Sequence, residues 1–263
     1  MVAESAAKRD EAAPFKEAPS TTSPAFFFPP NATIASFGHP GEQEYKFDGD
    51  KAIYVRLFPK TSEGQPKIGR SALKNLIHHR RSLNPMAREH GGIESSNDYG
   101  WVSIDPLTAT TTKGISQAFP SGELWGVNSQ VFLPVEIRSF IESAITFGVI
   151  GVEKLYTRTL ENFVAVASAG MQLRPPFVVE LGIVGTRGTY MGAPHPEFLN
   201  GNYYGPIHDD SLIRHYELAD VSRAALLDIL RKFFDDLYDL AECSRSEILT
   251  DEHVQKNDIP HRS

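Results

Sequence analysis

The stretch Arg174-Pro-Pro-Phe-Val-Val-Glu-Leu-Gly-Ile-Val-Gly-Thr-Arg-Gly-Thr-Tyr-Met-Gly192 decides how the rest of the chain has to be arranged. Phe177, Val179, Leu181 and Ile183 fall on one side of a period-two pattern, and Val178, Glu180, Gly182 and Val184 on the other. Both sides are largely apolar, which predicts a strand covered on both faces near the centre of a sheet. Pro175 and Pro176 stand just ahead of it, where a missing amide donor does least harm.

Working outward, the segment Val152–Met171 feeds this strand. Tyr156, Leu160, Phe163 and Ala167 form a helical stripe there, and Gly170 supplies a stop signal. Upstream of it, Pro134–Ile150 is ambiguous, because Ile137, Phe140, Ile141, Ala144 and Ile145 fit helical spacing while the Ile, Thr, Phe and Val content also suits strand; the spacing favours a helix over Val135–Phe147. On the far side of Gly192 the Pro, Asn, Gly and His content through Gly205-Pro206 reads as a loop, followed by a strand over Ile207–Leu218.

The most regular helix spans Ser222 to about Cys243. Leu226, Ile229, Leu230, Phe233, Phe234, Leu237 and Leu240 fill one arc of it, opposite Asp228, Arg231, Lys232, Asp235, Asp239 and Glu242. Burying those apolar side chains would contribute on the order of 10 kcal/mol of gross transfer free energy. Asp228 with Lys232 and Arg231 with Asp235 are spaced for i, i+4 pairs, each worth a few tenths of a kcal/mol.

In the N-terminal half, Ala52–Phe58 alternates as a strand ended by Pro59. A helix from about Ile68 or Ser71 follows and closes in His78-His79-Arg80-Arg81. Residues 85–96 read as loop, and Tyr99–Val131 as a β-meander with a turn at Pro120–Glu123 and a further short strand at Val131–Leu133. Residues 1–40 are predicted to be a disordered leader, ending its apolar-poor part in Phe26-Phe27-Phe28-Pro29-Pro30, rings expected to dock on the domain or on a partner, the domain being the simpler case. The element order predicts an α+β fold with a mixed or mainly antiparallel sheet and several packed helices. A single domain over residues 41–250 is expected, with a loose tail over 251–263.

Composition narrows the function classes. The chain has 263 residues, 41% hydrophobic and 22% charged, with a formal net charge of −7, which disfavours nucleic-acid binding by global electrostatics. One cysteine, Cys243, excludes an intrachain disulfide framework and a multi-cysteine metal site and fits a reducing compartment. With no long apolar run and no signal-peptide core, a cytoplasmic protein without membrane contact is expected.

Few residues offer chemistry. Gly182, Gly185 and Gly188 are spaced G-x-x-G-x-x-G, which matches neither the dinucleotide fingerprint nor the P-loop. The simpler reading gives Gly182 to close packing and the other two to the strand exit, with Arg187 as the residue to watch if an anion binds. Glu180 is a charge within an apolar strand, either a carboxylate with a raised pKa or one paired with a neighbour. His208-Asp209-Asp210 resembles a metal-binding fragment, with His195 and His215 as further ligands, yet the spacings fit no zinc pattern. Arg80 and Arg81 suit the negative end of a helix dipole, or alternatively a phosphate-contacting patch whose DNA affinity would fall steeply with salt. No G-x-S-x-G, H-E-x-x-H or Cys/His motif is present, so no catalytic set, cofactor or metal is assigned.

Four pieces taken together carry a resemblance: Ala52–Pro59, Gly122-Glu-Leu-Trp-Gly126, Pro175–Gly188, and Leu230–Arg245 with its Phe-Phe-Asp-Asp-Leu-Tyr-Asp-Leu. In order and spacing they resemble the region downstream of the AlbA-type (Schlafen-like) DNA-binding domain of some bacterial proteins, over roughly residues 50–246. The AlbA-type module expected upstream is not within these residues, and the leader is too short to contain it. The resemblance therefore implies an accessory part, either a fragment or a stand-alone relative, whose partner is a protein or the upstream DNA-binding module. It transfers no catalytic residue. A non-catalytic binding module is the leading expectation; its rival is a metal-dependent hydrolase or nuclease using Glu180 or His208, Asp209 and Asp210.

Overall fold

The computed structural model describes residues 15–37, 43–69, 72–73, 83–87, 92–135, 144–195 and 198–243. Within them the fold is α+β, built on two sheets. The predicted strand is β10 (Phe177–Val184), antiparallel to β3 (Ala52–Pro59) on one side and to β13 (Ser211–Leu218) on the other. The meander supplies β5 (Gly100–Pro106), β6 (Thr111–Ala118) and β7 (Leu124–Asn128), and β7 joins β3. The nine-stranded sheet is completed by β1 (Thr33–Phe37), β2 (Gln43–Phe47) and β4 (Ile93–Asn97). β4 extends the sheet beyond β5, while β2 runs parallel to the Thr111–Thr112 end of β6.

Each face of this sheet buries its own cluster. Ile53, Val55, Leu57, Phe177, Val179, Leu181 and Ile183 face α2 (Val149–Ala165) and α3 (Arg223–Leu240). The opposite face, with Tyr54, Ile104, Ile115, Trp125 and Val127, is covered by Ile34, Tyr45, Phe47 and Phe28. The stripe Tyr156, Leu160, Phe163 and Ala167 is fully buried, and α2 runs on as a π-turn, Val166–Gly170, before entering β10. The seven apolar positions read from α3 lie inward, six buried and Leu240 partly so. Lys232 meets Asp228 at 2.7 Å. Ser222 caps α3, its Oγ accepting from Ala225 N at 3.3 Å. Ser222→Ala should therefore cost about 1 kcal/mol, read as a lowered urea midpoint with an unchanged slope.

Several expectations are corrected. Residues 93–97 form β4, although 93–96 fall within the stretch read as loop; the partner β5 supplies the order. Over 135–147 no helix forms among the described residues: β8 (Phe132–Val135) pairs with β9 (Ala144–Gly148), and helix begins only at Val149. The β-branched residues Ile145 and Thr146 win that contest once a partner strand is present. Past Gly192 the chain is a hairpin, β11 (Tyr190–His195) with β12 (Phe198–Tyr204), in a second, four-stranded sheet ordered β12-β11-β9-β8. Phe132, Phe147, Met191 and Ala193 of that sheet join the α2-side core.

The expected leader is also ordered in part. Residues 24–27 form a single helical turn, α1 (Pro24–Phe27), and 33–37 form β1. Composition had no hydrophobic period to show there; the order comes from isolated anchors, Phe28 and Ile34, each only 4% exposed. Phe27 and Phe28 dock as expected, while Phe26 stays exposed. Residues 1–14, the expected tail 251–263 and most of the predicted helix ending at Arg80-Arg81 lie outside the described residues.

Gly182 shows why β10 tolerates a glycine in mid-strand. A Cβ there would sit 2.3 Å from Tyr54 Cζ, so the tyrosine ring lies directly on the glycine. Gly182→Ala should destabilise by about 2 kcal/mol through overpacking. A double-mutant cycle with Tyr54→Ala checks the cause, because the added methyl should cost much less once the ring is gone.

Candidate functional site

Strand register assembles one polar row across the face opposite the helices. His215 of β13 stands across from Glu180 of β10, Glu180 from Arg56 of β3, Arg56 from Trp125 of β7, and Trp125 from Gln117 of β6. The row is largely dry: the side chains of Arg56, Glu180 and Glu123 are 3%, 3% and 5% exposed, so these charges have to be compensated by one another.

The Arg56 guanidinium does this by lying between two carboxylates. Nη1 is 3.4 Å from Glu180 Oε2, and Nη2 is 3.4 Å from Glu123 Oε2. It also sits 4.6 Å from the Phe58 ring centroid and 5.5 Å from that of Trp125. Trp125 Nε1 donates to Glu123 Oε2 at 3.1 Å. His215 Nε2 lies 2.9 Å from Glu180 Oε2 with its ring 60% exposed, and so forms the wet end of the row. Tyr54 is fully buried beside it; burial first, and the Glu180 charge second, push its phenol far above the ordinary value, so it stays a donor.

The N-terminal segment closes over this row. Arg56 Nη2 donates to the Ser20 carbonyl, Ser23 Oγ donates to Glu180 Oε1, and Tyr54 Oη donates to Ser23 Oγ at 3.2 Å. Beyond Ser23, the Phe27 ring stands edge-on to Trp125 at 4.6 Å, Tyr99 at 4.9 Å and Phe119 at 5.9 Å.

The other sequence candidates are placed elsewhere. Gly185 and Gly188 take positive φ values of 71° and 74° in the turn leaving β10, and Arg187 between them is exposed. That turn is fastened to the segment ahead of β13: Thr186 Oγ1 donates to the Asp209 carbonyl at 2.7 Å and Thr186 N to the Asp210 carbonyl at 3.0 Å. The side chains of His208, Asp209 and Asp210 point into solvent, with His208 and Asp209 beside Asp239 and Glu242 around a cavity of about 200 Å³. His195 ends β11. Among the described residues no three His, Cys, Asp or Glu side chains converge as metal ligands. Of the acidic face of α3, Asp236 is held by Arg214 at 2.6 Å. Cys243 is buried, and desolvation followed by the Asp239 charge raises its thiol pKa to about 11, which keeps it protonated and unreactive. Arg80 and Arg81 lie outside the described residues.

Sequence reasoning found Glu180 and named His215 only as a ligand to something else; it missed Arg56, Glu123, Tyr54 and Ser23 as partners. The usable signal was a second charge, Arg56, in the middle of another apolar strand. No helix among the described residues is long and apolar enough to cross a membrane. Comparison of the chain with protein-family models, with curated proteins and with solved structures finds no match in any of the three.

Proposed function

We propose that this chain is a non-catalytic cytoplasmic module that binds a protein partner and positions it for a DNA-binding module of the AlbA type. The observation that carries the reading is the use made of the polar row. Arg56, Glu180 and Glu123 are spent on one another and on residues 20 and 23, so the buried charge holds a peptide-like segment and leaves no open cleft at the carboxylates. The AlbA-type context rests on the sequence resemblance. Nucleic acid is the less favoured direct partner, since the net charge is −7.

Titration calorimetry of the chain with an isolated AlbA-type domain tests this directly. Saturable binding at about 0.15 M salt is expected; no heat there or at lower salt removes the reading. The hydrolase reading has one observation in its favour, the contact of His215 with Glu180. It expects phosphodiester cleavage by the chain with added Mn²⁺ or Zn²⁺, abolished in Glu180→Gln.

A further inference from the structure

We infer that the surface filled by residues 15–28 is a docking groove for a partner peptide of one kind: a Ser or Thr followed four and five positions later by two aromatic residues. The chain's own N-terminal segment would be its intramolecular competitor. This rests on the binding-module reading above and specifies its partner.

Three features of the segment carry the inference. Residues 15–28 contain no strand, so this part of the segment lies on the sheet without joining its ladder. Its helical turn is too short to stand alone. Ser23 occupies the N-cap position of that turn, yet its side chain makes no cap bond. It turns instead to Glu180 and Tyr54. A residue placed to stabilise its own helix is thus used to engage the groove.

The contacts also specify what fits. Two carboxylates around one guanidinium leave the row with an excess negative charge, which favours a neutral hydroxyl donor at position 23 and rejects an anion there. Arg56 takes a backbone carbonyl three residues earlier, a contact open to any sequence. Trp125, Tyr99 and Phe119 receive the first ring edge-on, and Phe28 is buried behind it, 4.6 Å from Phe27. The groove side chains belong to strands, to the β4–β5 turn or, for Phe119 and Glu123, to the β6–β7 connection, so the sheet positions them for the same pattern from another chain. A tethered segment has a local concentration on the order of millimolar, so a free peptide competes poorly until the tether is weakened.

The test uses the full chain carrying Phe27→Asp and Phe28→Asp, which empties the groove without altering its walls. Fluorescence anisotropy follows a labelled peptide of residues 15–31. The peptide should bind this variant at least about tenfold more tightly than the unaltered chain. A Ser23→Ala peptide should bind roughly tenfold more weakly, the loss of one hydrogen bond to a charged group, and a peptide phosphorylated at Ser23 should not bind. A variant that unfolds cooperatively but takes up no peptide, or binds all three peptides alike, overturns the inference. If the variant does not fold, hydrogen exchange on the unaltered chain decides: amides of residues 20–28 should exchange far faster than those of α3, and equal protection overturns it. An AlbA-type domain that binds while the variant takes up no peptide would sink the groove and leave the module reading intact. Peptide binding without AlbA-type binding does the reverse.

Discussion

Arg56→Met is expected to lose about 3–5 kcal/mol of folding stability, among the largest effects of any single side chain here. The substitution roughly keeps the volume and removes the cation, leaving Glu123 and Glu180 buried without the guanidinium that lies between them. It also frees the Ser20 carbonyl, so the N-terminal segment should loosen. Urea unfolding measures the loss. A further variant identifies its origin. The triple variant Arg56→Met, Glu123→Gln, Glu180→Gln should recover a large part of the stability, because a row without charge carries no charge penalty. Equal losses in the single and triple variants would mean that shape, and not charge, holds this face.

Phe233→Ala should cost a similar 3–5 kcal/mol, for a different reason. Phe233 is fully buried where α3 meets α2, its ring edge-on to Tyr156 at 5.0 Å. Tyr156 in turn donates to the Gly182 carbonyl at 2.5 Å, so the cavity opens next to the side chain that ties α2 to β10. Thermal unfolding should show a clear drop in midpoint, larger than for Leu240→Ala at the partly buried end of the same helix. Comparable losses at the two positions would contradict the placement of the core.

These two sites differ in how far the sequence announces them. Phe233 is legible because a helix repeats its burial every three or four residues, and seven apolar side chains on one arc leave little choice of face. β3, β10, α2 and the meander were readable for the same reason: their pattern is local. β4, β9, β11 and β12 were not, since their order depends on pairing. Ser95 and Asn97 look like loop residues until β5 lies alongside, and Ile145 fits either periodicity until β8 does. The polar row is the extreme case. Arg56 and Glu180 are 124 residues apart, and Ser23 and Glu180 157 apart, so only the finished sheet brings them together. The leader was misread because composition averages over a stretch, whereas docking needs only a few well-placed rings.

The polar row bears on how the sheet finds its alignment. Apolar alternation on β3 and β10 punishes a one-residue slip, which would turn Arg56 into the helix-covered core. It is nearly blind to a two-residue slip, because Ile53, Val55 and Leu57 still face Phe177, Val179, Leu181 and Ile183 in the shifted pairing. Such a slip would carry Arg56 roughly 7 Å along β10, away from Glu180, and drive the Tyr54 ring off Gly182 onto a side chain. The single charge pair and the single glycine therefore act as an error check on strand alignment: of the in-phase pairings of β3 with β10, only the native one sets the arginine opposite the glutamate and the tyrosine opposite the glycine.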